Sequence, residues 1–138
     1  MILSYTSTPQ TVGVNENLEF DIDRIKTGCT VTHAAGTPTF TLNKPGFYYI
    51  AFTGTASATA AATDPITVQF YDGINAIGGA TASALSAAAD TPVNISITTI
   101  IQVRPSCPSI DNTVSLTIQN TGIEAIYTDV ALAITKLC

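Results

Sequence analysis

Residues 40–55 read FTLNKPGFYYIAFTGT, and the reading of this stretch decides the fold. Phe40 and Leu42 alternate with Thr41 and Asn43, the pattern stops at Pro45-Gly46, and then Phe47, Tyr48, Tyr49, Ile50 and Phe52 follow within six positions. Aromatic and β-branched residues fit a pleated, part-buried surface, and Pro-Gly marks a turn. Residues 46–56 are therefore predicted to form a strand. Successive side chains of a strand point to opposite faces. Tyr48, Ile50 and Phe52 share one face; Phe47, Tyr49 and Ala51 share the other. Both faces carry aromatic rings, so both need cover. A sandwich core is expected on one side and a partner on the other.

The sequence on either side repeats the alternation. Residues 18–25 set Leu18, Phe20 and Ile22 against Glu19, Asp21 and Asp23, which predicts a half-buried strand with a solvated acidic side. Ile66, Val68 and Phe70 alternate with Thr67, Gln69 and Tyr71 before the Asp72-Gly73 turn. Residues 77–86 (IGGATASALS) make a poor strand, and Gly78-Gly79 predicts a bulge or a close backbone approach. The longest alternation runs from Val93 to Val103, with Ile95 and Ile97 on one side and Ser96, Thr98 and Ile100 on the other. Leu116 and Ile118 alternate within 114–120, and the chain closes with Val130, Leu132 and Ile134 opposite Tyr127, Asp129, Ala131 and Ala133. Residues 55–65 read as a strand end plus loop and 104–112 as a loop, stiffened by Pro105 and Pro108. Eight to ten strands with turn signals about every 8–12 residues, and no helical stripe, predict an all-β sandwich or jelly roll. The predicted core is Phe40, Tyr48, Ile50, Phe52, Val68, Phe70, Ile95, Ile97, Leu116, Ile118, Val130, Leu132 and Ile134. Residues 11–138 make the domain; residues 1–10 (MILSYTSTPQ) read as a short arm for clasping a neighbour or an anchor.

Composition narrows the function. The chain has 138 residues, enough for one domain with a real core. Only 11% of residues are charged, against about 25% in ordinary soluble domains, so part of the surface is expected to lie against other subunits. A net charge of −5 with five scattered Lys and Arg offers no basic stripe for nucleic acid or anionic membrane. No apolar run approaches the roughly 18 residues of a spanning helix. Met1-Ile2-Leu3 is followed at once by polar residues, so no secretory signal is expected and maturation in the producing cytoplasm is.

The segment Phe40…Gly46-Phe47-Tyr48-Tyr49-Ile50-Ala51-Phe52 resembles the signature of the C1q/TNF-like family. Phe40, Gly46, Tyr48 and Phe52 match it, and Ile50 stands where the family prefers Phe. Gly28 and His33 occupy upstream slots where Asn/Asp and an aromatic would be expected. The layout from Gln10 onward is similar to bacterial and bacteriophage versions of the fold, including small phage C1q-like proteins and the heads of collagen-like spore-surface glycoproteins. The resemblance implies a ten-strand jelly roll that forms a compact homotrimer. The subunit interface would then comprise Phe47, Tyr49, Ala51, Ser96, Thr98, Ile100, Tyr127, Ala131 and Ala133, where aromatic and small residues suit tight symmetric packing.

Catalytic and metal chemistry find little purchase. His33 is the only histidine, so a Ser-His-Asp or Cys-His set depends on it alone. Cys29 and His33 lie four apart and with Cys107 form the one candidate metal-ligand set; the alternative is a buried thiol near a surface histidine. Three cysteines do not make a disulfide framework. Glu19, Asp21 and Asp23 read as a solvated strand face, not an acid/base pair in a cleft. The expectation is a non-enzyme without cofactor: a structural virion protein of a bacteriophage, serving as capsid decoration, head fibre or fibre tip on the virion surface. Its arm would meet a capsid or fibre protein, and apical loops with Tyr71 or Tyr127 would stack on a host-surface glycan. The alternative is a spore- or cell-surface head that binds carbohydrate or protein.

Overall fold

The computed structural model describes residues 1–60, 64–105, 107 and 113–138. Of the expected strand end and loop at 55–65, residues 61–63 lie outside the described residues, as do residues 106 and 108–112 of the loop expected at 104–112. Among the described residues twelve strands run in order: β1 (Ile2–Thr6), β2 (Gln10–Val12), β3 (Glu16–Asn17), β4 (Ile22–Lys26), β5 (Val31–His33), β6 (Phe40–Leu42), β7 (Gly46–Ala58), β8 (Ile66–Asp72), β9 (Asn75–Ala84), β10 (Val93–Val103), β11 (Val114–Asn120) and β12 (Ala125–Lys136). They form two antiparallel sheets. The first has the order β10-β7-β12-β1-β4, with β2 also on β12; the second has β5-β6-β11-β8-β9, with β3 on β11. No helix occurs among the described residues. The architecture is an all-β jelly-roll sandwich.

The aromatic strand β7 is the longest strand and lies inside the first sheet. It pairs with β10 from Gly46 to Ala56 and with β12 from Tyr48 to Ala58. Gly46 opens it at φ 138, a conformation other residues rarely adopt, and a Cβ there would collide with the carbonyl of Cys138. Tyr48, Ile50 and Phe52 are fully buried between the sheets. Phe40, Val68, Phe70, Leu116 and Ile118 meet them from the second sheet, and Ile95, Ile97, Val130, Leu132 and Ile134 complete the same core. Phe52 and Phe70 touch edge to face across the sandwich, with ring centroids 6.4 Å apart. Each such buried side chain contributes about 1.5–3 kcal/mol of transfer free energy.

Two expectations are corrected here. Residues 1–10 are not an arm: β1 is hydrogen-bonded between β12 and β4, with Ile2, Ser4 and Thr6 buried. Polar Ser4 and Thr6 on the inward side hid the alternation, and their hydroxyls are satisfied by Asp23 and by the Glu19 carbonyl. Tyr127 is not on the outer face. The register of β12 against β7 shifts between Tyr127 and Asp129, so one extra residue reverses the side-chain phase. Ala125 and Tyr127 therefore point inward with Val130, and Tyr127 is only 1% exposed.

Residues 18–25 break phase in a similar way. Leu18 and Phe20 are buried, yet Ile22 is exposed and Asp23 turns in. Residues 77–86 fall mainly in β9, whose pairing with β8 shifts between Gln69 and Tyr71, and Gly79 has φ 80.

Candidate functional site

The outer face of the first sheet is built by the residues of β7, β10, β12 and β1 that point away from the core. Register sets them in rows. Phe47 lies beside Gln102 and, through the Leu137 N–H to Phe47 carbonyl bond, beside Leu137. Tyr49 lies between Ile100 and Thr135, and Ala51 between Thr98 and Ala133, with Leu3 next in line. Thr53 lies between Ser96 and Ala131, followed by Tyr5, and Thr55 between Asn94 and Asp129.

The face thus grades along the strands. One end is apolar: Phe47, Tyr49, Ile100 and Leu137 are 43%, 39%, 59% and 53% exposed. The middle is small, with Ala51, Thr98, Ala131 and Ala133. The other end is polar: Thr53, Thr55, Asn94, Ser96 and Asp129 line a shallow depression of about 400 Å³, and the Thr55 hydroxyl donates to Asn94 Oδ1 over 3.0 Å. Beyond β12 a second depression of about 210 Å³ is lined by Leu3, Tyr5, Arg24, Asp129 and Ala131. Phe47, Tyr49, Ala51, Ser96, Thr98, Ile100, Ala131 and Ala133 come together on this one face. Leu3 and Tyr5, which the sequence reading had placed in an arm, join them.

The candidate metal set does not assemble. His33 is buried, and its side chain is fully enclosed. Its Nδ1 lies 2.6 Å from Asp23 Oδ1 and its Nε2 2.9 Å from the Thr37 carbonyl oxygen, while its ring stacks on Phe40 at 4.0 Å. Cys29 and Cys107 are exposed, as is Cys138. No group of three or more His, Cys, Asp or Glu suited to a metal occurs among the described residues.

Around His33 the chain builds a polar cluster that ties the two sheets. Ser4 on β1 donates to Asp23 Oδ1 over 2.5 Å, Lys26 lies 3.5 Å from Asp23 Oδ2, and Lys26 Nζ donates to the His33 carbonyl over 2.6 Å. The hydroxyl meets the carboxylate, not the imidazole, and both ring nitrogens face other partners. Ser4 is fully buried and its hydroxyl is held by the carboxylate, so the cluster acts as a cross-sheet tie. Burial of Asp23 raises its pKa, but the hydrogen bonds from Ser4 and His33 and the charges of His33 and Lys26 more than reverse this, leaving the carboxyl below its ordinary value. A lowered folded-state pKa gives stability that is present above the unfolded carboxylate value of about 4 and is lost as pH falls through the folded value. Wild type is therefore expected to lose more of its melting temperature than Asp23→Asn when the pH is taken from 6 to 3; equal losses would contradict the assignment.

A second buried hub, not foreseen from sequence, centres on Asn120. Its amide donates to the carbonyls of Val12, Gly13 and Ile123 over 3.0, 3.2 and 2.9 Å, and its Oδ1 accepts the Tyr127 hydroxyl over 3.2 Å. Burial pushes the Tyr127 phenol well above its ordinary pKa, so it stays a neutral donor. Tyr71 lies part-exposed on β8, not on a loop.

No protein-family profile and no curated protein matches the sequence. Solved structures do match in shape. The Eiger TNF of S. frugiperda superposes with a TM-score of 0.67 at 11% identity, covering 99% of this chain and 92% of that one. Murine APRIL, in a crystal at pH 5.0, gives 0.59 at 10% identity, covering 99% and 98%. The PRD1 vertex protein P5 gives 0.49 at 16% identity, covering 96% and 94%. At these identities the likeness is one of fold: a TNF-like jelly roll.

Proposed function

We propose that this chain is a non-enzymatic structural protein of a bacteriophage virion, a homotrimeric module that decorates the capsid or forms a head fibre or fibre tip. One observation carries the reading: the graded outer face of the first sheet, with Phe47, Tyr49, Ile100 and Leu137 exposed together at one end and small residues beside them. Contiguous apolar surface of this kind marks an interaction site. Small side chains at Ala51, Ala131 and Ala133 allow close approach, and the β7, β10 and β12 positions in the rows from Phe47 to Thr53 carry no Lys, Arg or Glu, with Arg24 at the margin beyond β1. Repeating that face about a rotation axis would cover the rings that one sandwich leaves bare. The shortage of charge agrees with a surface partly enclosed by copies of itself.

With β1 inside the sheet, contact with a capsid or fibre protein falls to some other surface than an N-terminal arm. Mass spectrometry of purified, nuclease-treated phage particles tests the role. The chain is expected at a stoichiometry divisible by three; its absence from particles, or its recovery on spores or cell surfaces instead, overturns it.

A further inference from the structure

We propose that the outer face of the second sheet is a binding surface for a neutral polysaccharide, with the ring of Tyr71 stacked on a sugar. From β5 across β6, β11 and β8 to β9, the residues pointing away from the core are Thr, Ser, Gln, Tyr, Ala and Gly, with no charged side chain among them. Solvent-facing surfaces ordinarily carry about 25–35% charged residues. Tyr71 stands within this face, in a row with Thr117 on β11 and Ala76 on β9. Ser115, Thr41 and Thr32 make the row on one side of it, and Gln119 and Gln69 the row on the other. Ala76 offers only a methyl group opposite Tyr71, so little on β9 can screen the part-exposed ring.

The hydrogen-bonding groups around the ring are unspent. Among the described residues, the hydroxyls of Thr39, Thr41, Ser115, Thr117 and Tyr71 bond to no other protein group. A hydroxyl both donates and accepts, as each hydroxyl of a sugar does. The C–H face of a sugar ring suits the apolar face of a phenol, whose O–H stays free for a polar partner. On the same side of the sheet, Thr32, His33, Ala34, Thr37, Thr39 and Thr41 line a shallow depression of about 380 Å³. Thr41 lies two strands from Tyr71, about 10 Å away, so a sugar chain lying across the strands reaches both. Charge selects the occupant. An acidic polymer finds no Lys or Arg here to neutralise it, whereas a neutral one binds without desolvating any charge of the face. A protein partner calls for an apolar centre, and the face has none beyond Tyr71.

This surface lies on the opposite side of the sandwich from the proposed trimer face, so the inference stands apart from the trimer reading. Affinity electrophoresis of the full chain tests it, in gels containing dextran, mannan, galactomannan or β-glucan, with polygalacturonate as the charged comparison. Wild type is expected to be retarded in at least one neutral gel. Tyr71→Ala should weaken the apparent affinity there at least about ten-fold, with circular dichroism and mass unchanged. Tyr71→Phe keeps the ring and should stay within about three-fold of wild type. Tyr49→Glu, altered on the other face, should still be retarded, which separates this site from the trimer. No retardation in any neutral gel, retardation in polygalacturonate alone, or equal retardation of wild type and Tyr71→Ala overturns the proposal.

Discussion

Replacing Tyr49 by glutamate is expected to turn the assembly into single folded chains. Tyr49 stands between Ile100 and Thr135 on the outer face, and its ring contributes nothing to the buried core. The substitution therefore leaves each sandwich intact. In the proposed trimer the same position would be enclosed, and a carboxylate there would lose its water without gaining a partner, at a cost of several kcal/mol per copy. Three like charges gathered round one axis add repulsion. Light scattering should show the mass falling about three-fold, with the β-sheet circular dichroism unchanged. Ile74→Glu is the control, because Ile74 is 93% exposed at the tip of the β8–β9 hairpin, away from this face. An equal loss in both variants would point to charge in general and not to the face.

Asn120→Ala is expected to be the most damaging single change to the fold itself. Asn120 is fully buried and joins the end of β2, the turn after β11 and Tyr127 on β12. Removing its amide takes a donor from the carbonyls of Val12 and Ile123 and from that of Gly13, which keeps its bond from the Glu16 N–H, and it leaves the Tyr127 hydroxyl without its Oδ1 partner. Each orphaned group costs about 1–3 kcal/mol, less whatever relaxation or water recovers. The net loss should be on the order of 3–5 kcal/mol, a large share of the roughly 5–15 kcal/mol that holds a typical domain. The melting temperature should fall by about 10–20 °C. Tyr127→Phe removes only the hydroxyl's bond to Oδ1 and should cost about 1 kcal/mol. A fall of under a few degrees for Asn120→Ala would show that the hub does not hold these segments together.

The strand at 46–56 was legible because its pattern is strong and its neighbours agree with it. Aromatic residues alternate in phase, Pro45-Gly46 marks the entry, and the same period recurs in Ile66–Phe70 and Val93–Val103. Wherever the pattern stayed in phase, burial followed it. It failed where an extra residue entered a strand: nothing in Ala-Ile-Tyr-Thr-Asp announces the shift that turns Tyr127 inward. It failed again where polar residues face the core. Ser4 and His33 both meet Asp23 across two sheets, through bonds between residues 19 and 10 positions apart that local periodicity does not encode. Asn120 escaped notice because an Asn-Thr-Gly run reads as a turn, and its long-range partners lie more than a hundred residues away. For the face, Leu3 and Tyr5 were missed with the strand that carries them, whereas the central rows of β7 and β10 followed directly from alternation.

The face remains the point on which the functional reading turns. An apolar end, a small-residue middle and a polar end, all on one continuous sheet surface, suit repeated packing about an axis. Multi-angle light scattering of the purified chain tests this most directly. The account predicts a species of three times the 14.3 kDa chain mass. A monodisperse 14.3 kDa species, stable as the concentration is raised, would contradict it.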